Sequence, residues 1–275
     1  MDNVFSKRLE EDKKIIDNKI IDFFSGKNVL ENSMNYAIRS GKRIRPILML
    51  ETYKMLNNEI DENVLRLALS LEFIHNYSLV HDDLPEMDND DYRRGEYTVH
   101  KKYGSDIAVL CGDCLLNYAY ENIFSLLEEN NDINVIKASK VISNLCGING
   151  MIEGQLLDIE HKLENLDDLL KIYEKKTADL FIAAVMSSGY LSNLEDEKLN
   201  NLYNYAYNMG ISFQIQDDLL DEFEDEDINI LNIMPKDQAI KLLYEYSDNA
   251  KKSIQGFKNN EFHIQLIDYL VTRKF

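Results

Sequence analysis

A chain of 275 residues with 45% hydrophobic content can bury a sizeable core, which excludes global disorder. Its formal net charge of −19 argues against nucleic acid and against anionic membrane surfaces as partners. With 11 Gly and 3 Pro the chain is sparsely punctuated, which favours long helices over many short strands. Three cysteines in so long a chain point to a reducing compartment, so the cytoplasm is expected. Met1-Asp2-Asn3 opens into a charged amphipathic pattern, so no signal peptide is expected. No apolar run reaches the ~18 residues that a membrane span needs.

Helical spacing runs over 4–24, with Ser25-Gly26-Lys27-Asn28 as a stop, and again over 29–39. Gly41-Lys42-Arg43-Ile44-Arg45-Pro46 follows, a basic cluster at a helix break, with Pro46 suited to the first turn of a helix to about 56. This cluster reads either as a solvated cap or as an anion clamp. Residues 64–84 are apolar on more than one face and predict a helix buried nearly all round. A short piece at 97–103 precedes a strongly apolar helix over 106–127. There Cys111-Gly-Asp-Cys114 matches C-x-x-C but lacks a redox or zinc context, so both are read as ordinary helical cysteines. A helical pattern over 135–158 contains several glycines, which suggest close packing or room for a ligand. Further helices are expected over 166–190, 199–223 and 235–256, with a short one near the end. No strand, repeat, linker or domain boundary is read. The expected fold is all-α, one large helical bundle of about ten to thirteen helices in a single domain over 1–275, with a central cavity.

Two stretches carry chemistry. At the end of the buried 64–84 helix, Asp82, Asp83, Glu86, Asp88, Asp90 and Asp91 crowd together, and Arg93 and Arg94 follow at once. Clustered carboxylates repel one another and lose water on burial. A hard divalent cation with oxygen ligands offsets that cost, and Mg²⁺ commonly joins one or two carboxylates to phosphate oxygens. Arginines suit the same oxygens. The second stretch is Phe213-Gln-Ile-Gln-Asp217-Asp218-Leu-Leu-Asp221. Asp217 and Asp221 share a helix face at a spacing that destabilises the helix without a cation between them. Alternatively it is the start of a solvated acidic face. Two such clusters would face each other across a bundle's cavity.

Written in order, the motifs G-K-R-I-R-P at 41–46, I-H-N-Y-S-L-V-H-D-D-L-P-E-M-D at 74–88, R-R-G at 93–95, G-D at 112–113, G-Q-x-x-D at 154–158, K-T at 176–177 and F-Q-x-Q-D-D-x-x-D at 213–221 resemble the trans-prenyltransferases. These are the short-chain polyprenyl diphosphate synthases, and the spacing of Asp82, Asp83 and Asp88 is similar to the bacterial and plastid branch. The resemblance implies the isoprenoid synthase fold and a Mg²⁺-dependent head-to-tail condensation of isopentenyl diphosphate with dimethylallyl or geranyl diphosphate. It implies Asp82, Asp83, Asp88, Arg93, Lys176, Asp217 and Asp218 as catalytic residues. Asp82, Asp88, Asp217 and Asp221 become metal ligands, for three Mg²⁺ that Mn²⁺ can replace. Arg93, Lys176, Thr177 and Gln214 become ligands of the allylic substrate, and Lys42, Arg45, His75 and Arg94 ligands of isopentenyl diphosphate. His81 is read as a supporting hydrogen bonder. A homodimer is expected from the resemblance.

The resemblance implies that Tyr77 and Ser78, five and four residues before the first aspartate, face the floor of the chain-elongation tunnel. An aromatic stopper at Tyr77 points to farnesyl diphosphate. One departure stands out: no glycine occurs between Gly210 and Gly256, where the family carries a Gly- and Lys-containing loop. Roughly twenty residues of connection are absent by ordinary loop lengths, so no lysine of that loop is assigned to Lys236 or Lys241. The alternatives left open are a geranylgeranyl diphosphate synthase, a non-catalytic or partner-dependent subunit, and a terpene cyclase. A calcium module fails because Tyr92 and Arg93 occupy positions an EF-hand gives to a ligand and to glycine.

Overall fold

The computed structural model describes residues 3–21, 24–160, 163–220 and 228–272. They gather into two compact units, one drawn from the chain up to Leu50 together with Asp61–Asn131, the other from Glu51–Ile60 together with Asp132 onward.

The first unit holds α1 (Asn3–Ile21), α2 (Val29–Ile38), the start of α3 (Ile44–Asn57), α4 (Glu62–Asp82), the two-residue strands β1 (Tyr92–Arg93) and β2 (Glu96–Tyr97), α5 (Val99–Tyr103) and α6 (Ser105–Glu129). Its axis is α4. Asp61 caps that helix by accepting from the Val64 amide at 2.9 Å. Leu67, Ala68, Leu71, Phe73 and Ile74 are fully buried, each of the larger ones stabilising by about 1.5–3 kcal/mol. The helix ends at Asp82 as the chain approaches Pro85. A turn then closes with the Asp88 amide donating to the Asp82 carbonyl at 2.9 Å. Polar contacts join α4 to α6: Asn122 Nδ2 donates to Ser70 Oγ at 2.7 Å, and Arg66 pairs with Glu129 at 2.7 Å.

The expectation of no strand is corrected here. Tyr92 pairs with Tyr97 and Arg93 with Glu96 in an antiparallel hairpin. Its two central residues, Arg94 and Gly95, have φ of 54° and 78°, the left-handed pair that a type I′ turn requires. Two-residue strands carry no alternation for a sequence reading to detect.

The second unit holds α7 (Ile133–Leu145), α8 (Met151–Glu160), α9 (Leu166–Ile172), a π-helical segment Tyr173–Ala178, α10 (Asp179–Leu191), α11 (Asp196–Leu220), a 3₁₀ turn Ile230–Asn232, α12 (Lys236–Ile254) and α13 (Glu261–Thr272). In α10 Leu180 to Val185 are buried without interruption. The pattern over 135–158 is broken between α7 and α8, not continuous. A Cβ on Gly150 would lie 2.0 Å from the Leu145 carbonyl oxygen, so the glycine serves a turn. The pattern over 166–190 is likewise interrupted by the π segment. Pro235 stands just outside α12 as its N-cap. The all-α expectation holds.

Candidate active site

In the first unit the C-terminal end of α4 splits its two aspartates. Asp82 is half-buried and Asp88 exposed, while Asp83 is 3% exposed. Asp83 Oδ1 accepts from Arg93 Nε at 2.5 Å, and Asp90 Oδ2 accepts from Arg93 Nη2 at 3.3 Å. Burial pushes the Asp83 carboxyl up to about 6 against the pull of Arg93. Thr98 fastens the acidic loop, its hydroxyl donating to the Asp90 carbonyl at 2.8 Å. The hairpin turn presents Arg94, whose Nη1 donates to the Ser40 carbonyl. A small cavity of about 40 Å³ lies here, with Ser40, Asn76, Asp83, Arg93 and Arg94 among its lining.

Arg45 and His75 meet at 3.3 Å between Nη1 and Nε2. Burial, reinforced by the guanidinium of Arg45, holds His75 well below the usual imidazole range, so the ring is neutral. Lys42 is exposed beside them in the chain. Tyr77 is 7% exposed and meets the His81 ring edge-on at 5.8 Å between centroids. Ser78 Oγ donates back to the His75 carbonyl at 3.0 Å. His81 Nε2 lies 3.1 Å from the Val109 carbonyl oxygen, and a Cβ on Gly112 would fall 2.1 Å from the same nitrogen. The G-D motif at 112–113 is thus a seat for the His81 ring.

In the second unit the π segment carries Lys176 and Thr177. π turns are rare and recur at functional sites. Lys176 pairs with Asp158 of α8. Thr177 Oγ1 donates to Gln214 Oε1 at 2.8 Å, and Gln214 Nε2 donates to Asp218 Oδ1 at 3.1 Å. Two glycines let helices reach this segment: a Cβ on Gly154 would lie 2.2 Å from the Lys176 amide nitrogen, and one on Gly210 would lie 2.5 Å from Ala178 Cα. Asp218, 3% exposed, also accepts from the Tyr173 hydroxyl and from the Ile230 amide, the latter at 2.7 Å. Burial and then the Asp218 charge push the Tyr173 phenol upward. Asp217 is half-buried one residue away. Asp221 lies outside the described residues, as does the acidic run that follows it.

The two Asp-Asp pairs therefore repeat one arrangement within separate units: the second aspartate turns inward and orients a polar side chain, and the first stays nearer solvent. Sequence reading did not assign Tyr173, Asp158, Arg43 or Glu72. Asp158 and Arg43 stood in motifs that could have flagged them; Tyr173 and Glu72 show only in three dimensions. Cys111 and Cys114 both lie in α6, and burial pushes the Cys111 thiol up to about 11.

The donor set is hard oxygen at Asp82, Asp88 and Asp217, which suits a hard divalent cation. Among the described residues no three His, Cys, Asp or Glu side chains form a closed cage. Mg²⁺ needs none, since it takes one or two carboxylates and completes its shell with water and phosphate. Among the described residues no helix is long and apolar enough to cross a membrane.

Paired aspartates at helix ends, with Arg93 on one pair and Gln214 on the other, suit a helical prenyltransferase. The chain belongs to the polyprenyl synthetase family, whose model matches residues 27–230. It is 43% identical over 198 residues to a farnesyl diphosphate synthase of Micrococcus luteus, covering 70% of this chain and 66% of that one. It is 36% identical over 262 residues to a geranylgeranyl diphosphate synthase of Cyanophora paradoxa, covering 88% and 87%. The crystal structure of an FPP/GFPP synthase from Zymomonas mobilis superposes with a TM-score of 0.91 at 29% identity, covering 99% of this chain and all of that one. The fold is that of the isoprenoid synthases.

Proposed function

We propose that this chain joins isopentenyl diphosphate head-to-tail to dimethylallyl or geranyl diphosphate and releases mainly farnesyl diphosphate. The observation that carries the reading is the repeated arrangement of the two Asp-Asp pairs, with Arg93 on Asp83 and the Thr177–Gln214 pair on Asp218. The two units act as one synthase domain over residues 1–275, in a cytoplasmic homodimer.

Asp82 and Asp88 of the first unit, and Asp217 with Asp221 of the second, would hold three Mg²⁺, for which Mn²⁺ can substitute. When bound, the metal neutralises charge on the departing diphosphate. Arg93, Lys176, Thr177 and Gln214 bind the allylic substrate and steady the leaving oxygens as the C–O bond breaks. Asp83 and Asp218 contribute to catalysis by keeping Arg93 and Gln214 in position. Lys42, Arg45, His75 and Arg94 hold isopentenyl diphosphate so that its alkene is already oriented for attack. Apolar walls keep water from the allylic cation. A proton then leaves the new chain, with the released diphosphate as base. Tyr77, with Ser78, limits the length of the chain.

The test is a purified-protein assay with Mg²⁺, labelled isopentenyl diphosphate and, separately, dimethylallyl, geranyl and farnesyl diphosphate. Farnesyl diphosphate from the first two primers, and little from the third, is expected. Product of geranylgeranyl length would keep the reaction and overturn the assignment of length. No product with any primer would leave a subunit that works only with a partner.

A further inference from the structure

We infer that Arg43 is the positioning residue of the isopentenyl diphosphate site, acting through a buried ionic lock with Glu72 and Asp17. The inference rests on the site assignment just proposed and adds a residue that touches neither substrate.

Arg43 sits in the middle of the basic 41–46 motif yet points away from it. Its side chain is 1% exposed, whereas Lys42 next to it is exposed. Nε donates to Asp17 Oδ1 of α1 at 2.9 Å, and Nη1 donates to Glu72 Oε1 of α4 at 2.7 Å. Nη1 also reaches the Ser40 carbonyl at 3.3 Å, and Nη2 donates to the Ile38 carbonyl at the end of α2. One planar fork thus ties three helices to the loop after α2, a geometry that lysine cannot reproduce. Asn76 holds the far end of the lock, its Nδ2 donating to Glu72 Oε1 at 3.0 Å.

The backbone gives way to make this possible. Arg43 has φ of 56°, a left-handed conformation costly for a residue with a side chain and kept only where surroundings enforce it. That twist goes with a buried Arg43 between an exposed Lys42 and a half-buried Arg45. Gly41, with φ of 154°, is hemmed by two guanidinium groups: a Cβ there would lie 2.9 Å from Arg94 Nη1 and 3.0 Å from Arg43 Nη1. Both arginines hold the Ser40 carbonyl. The loop that presents Lys42 is therefore clamped between Arg94, a ligand residue, and Arg43, which is none. Arg45 follows two residues later and meets His75, which stands on α4 three residues after Glu72.

The lock supplies what a cluster of cations needs before its anion arrives. Lys42, Arg45 and Arg94 carry like charges that repel one another, and the loop between them is held by Arg43 on buried Glu72 and half-buried Asp17. Loosening the lock spreads the cluster and weakens capture of isopentenyl diphosphate. Of the allylic ligands, Lys176, Thr177 and Gln214 belong to the other unit, and Arg93 is held by Asp83 and Asp90, not by the lock.

The experiment is steady-state kinetics of Arg43→Lys and Glu72→Gln in the full chain, varying each substrate separately, with thermal melts alongside. The expected result is a rise of about tenfold or more in KM for isopentenyl diphosphate, with KM for geranyl diphosphate within about twofold. Equal rises in both KM values, or a fall in kcat with both KM values unchanged, would overturn the inference by making Arg43 a general stabiliser. Should either variant fail to melt cooperatively, Asp17→Asn removes only the half-exposed edge of the lock, and a rise of about threefold confined to isopentenyl diphosphate is expected; no selective rise would again overturn it. Wild-type protein that neither turns over nor binds isopentenyl diphosphate by titration calorimetry would overturn the proposed function as well. Active wild type with kinetically normal variants would overturn this inference alone.

Discussion

The Arg93 guanidinium is bound to Asp83 at 2.5 Å, so one oxygen of the second aspartate of the first Asp-Asp pair is already engaged by a cation. The two neighbours therefore differ in kind. Asp82→Ala is expected to cut kcat/KM by about 10³ or more, as loss of a group that stabilises leaving charge does. Asp83→Asn keeps the shape but loosens Arg93, and a loss of about 10- to 100-fold is expected, mostly in KM for the allylic substrate. Parallel kinetics of the two variants at saturating Mg²⁺ decide it. Equal losses would show that Asp83 touches the reacting centre.

Gly154 and Gly210 are contact points of the π segment. Gly154→Ala would put a methyl group 2.2 Å from the Lys176 amide nitrogen, so backbone has to move. Overpacking of this kind costs about 1–3 kcal/mol. Urea unfolding should record that loss, together with a higher KM for geranyl diphosphate, because Lys176 and Thr177 move with the segment. Stability lost with kinetics intact would mean that the π geometry is not needed for substrate.

Asp179 opens α10 at 1% exposure, with Lys175 at 3.3 Å. Burial pushes its carboxyl up to about 7, more than Lys175 can offset. The native state thus holds a proton that the unfolded chain releases near 4. Its stabilising contribution is full below about 4 and is lost as pH rises through about 7. Asp179→Asn removes this dependence. The variant's melting temperature relative to wild type should be higher at pH 8 than at pH 5, and a difference independent of pH would refute the assignment.

Tyr77 is buried on α4 against His81. With the bulk at this position removed, Tyr77→Ala is expected to lengthen the product beyond farnesyl diphosphate. Chromatography of the labelled products reads the result directly, and an unchanged product would remove Tyr77 as the stopper.

The aspartate-rich helix end and the basic motif were legible because charge crowding beside an apolar run is a local property. The buried α4 announced itself in the same way. The hairpin that carries Arg93 and Arg94 was not legible, since two residues per strand leave no period and its turn depends on a left-handed Arg94. The break at Gly147–Gly150 was missed for a related reason: apolar spacing continues on both sides of it. The π segment hid inside an ordinary helical pattern, for only Gly154 and Gly210 approaching from α8 and α11 mark where the helix widens.

Composition and motif order by themselves determined an all-α chain of the polyprenyl synthetase family and the residue types that handle diphosphate. They could do so because helix periodicity and charge clustering are written along the chain. Tertiary structure alone decided which member of each pair faces which way: Asp83 and Asp218 inward, Asp82 and Asp217 nearer solvent, Arg43 into the core with Lys42 outside it. Adjacent residues of the same type look alike in a sequence. What separates them is which partners, distant in the chain, come close enough to offset the cost of burying a charge.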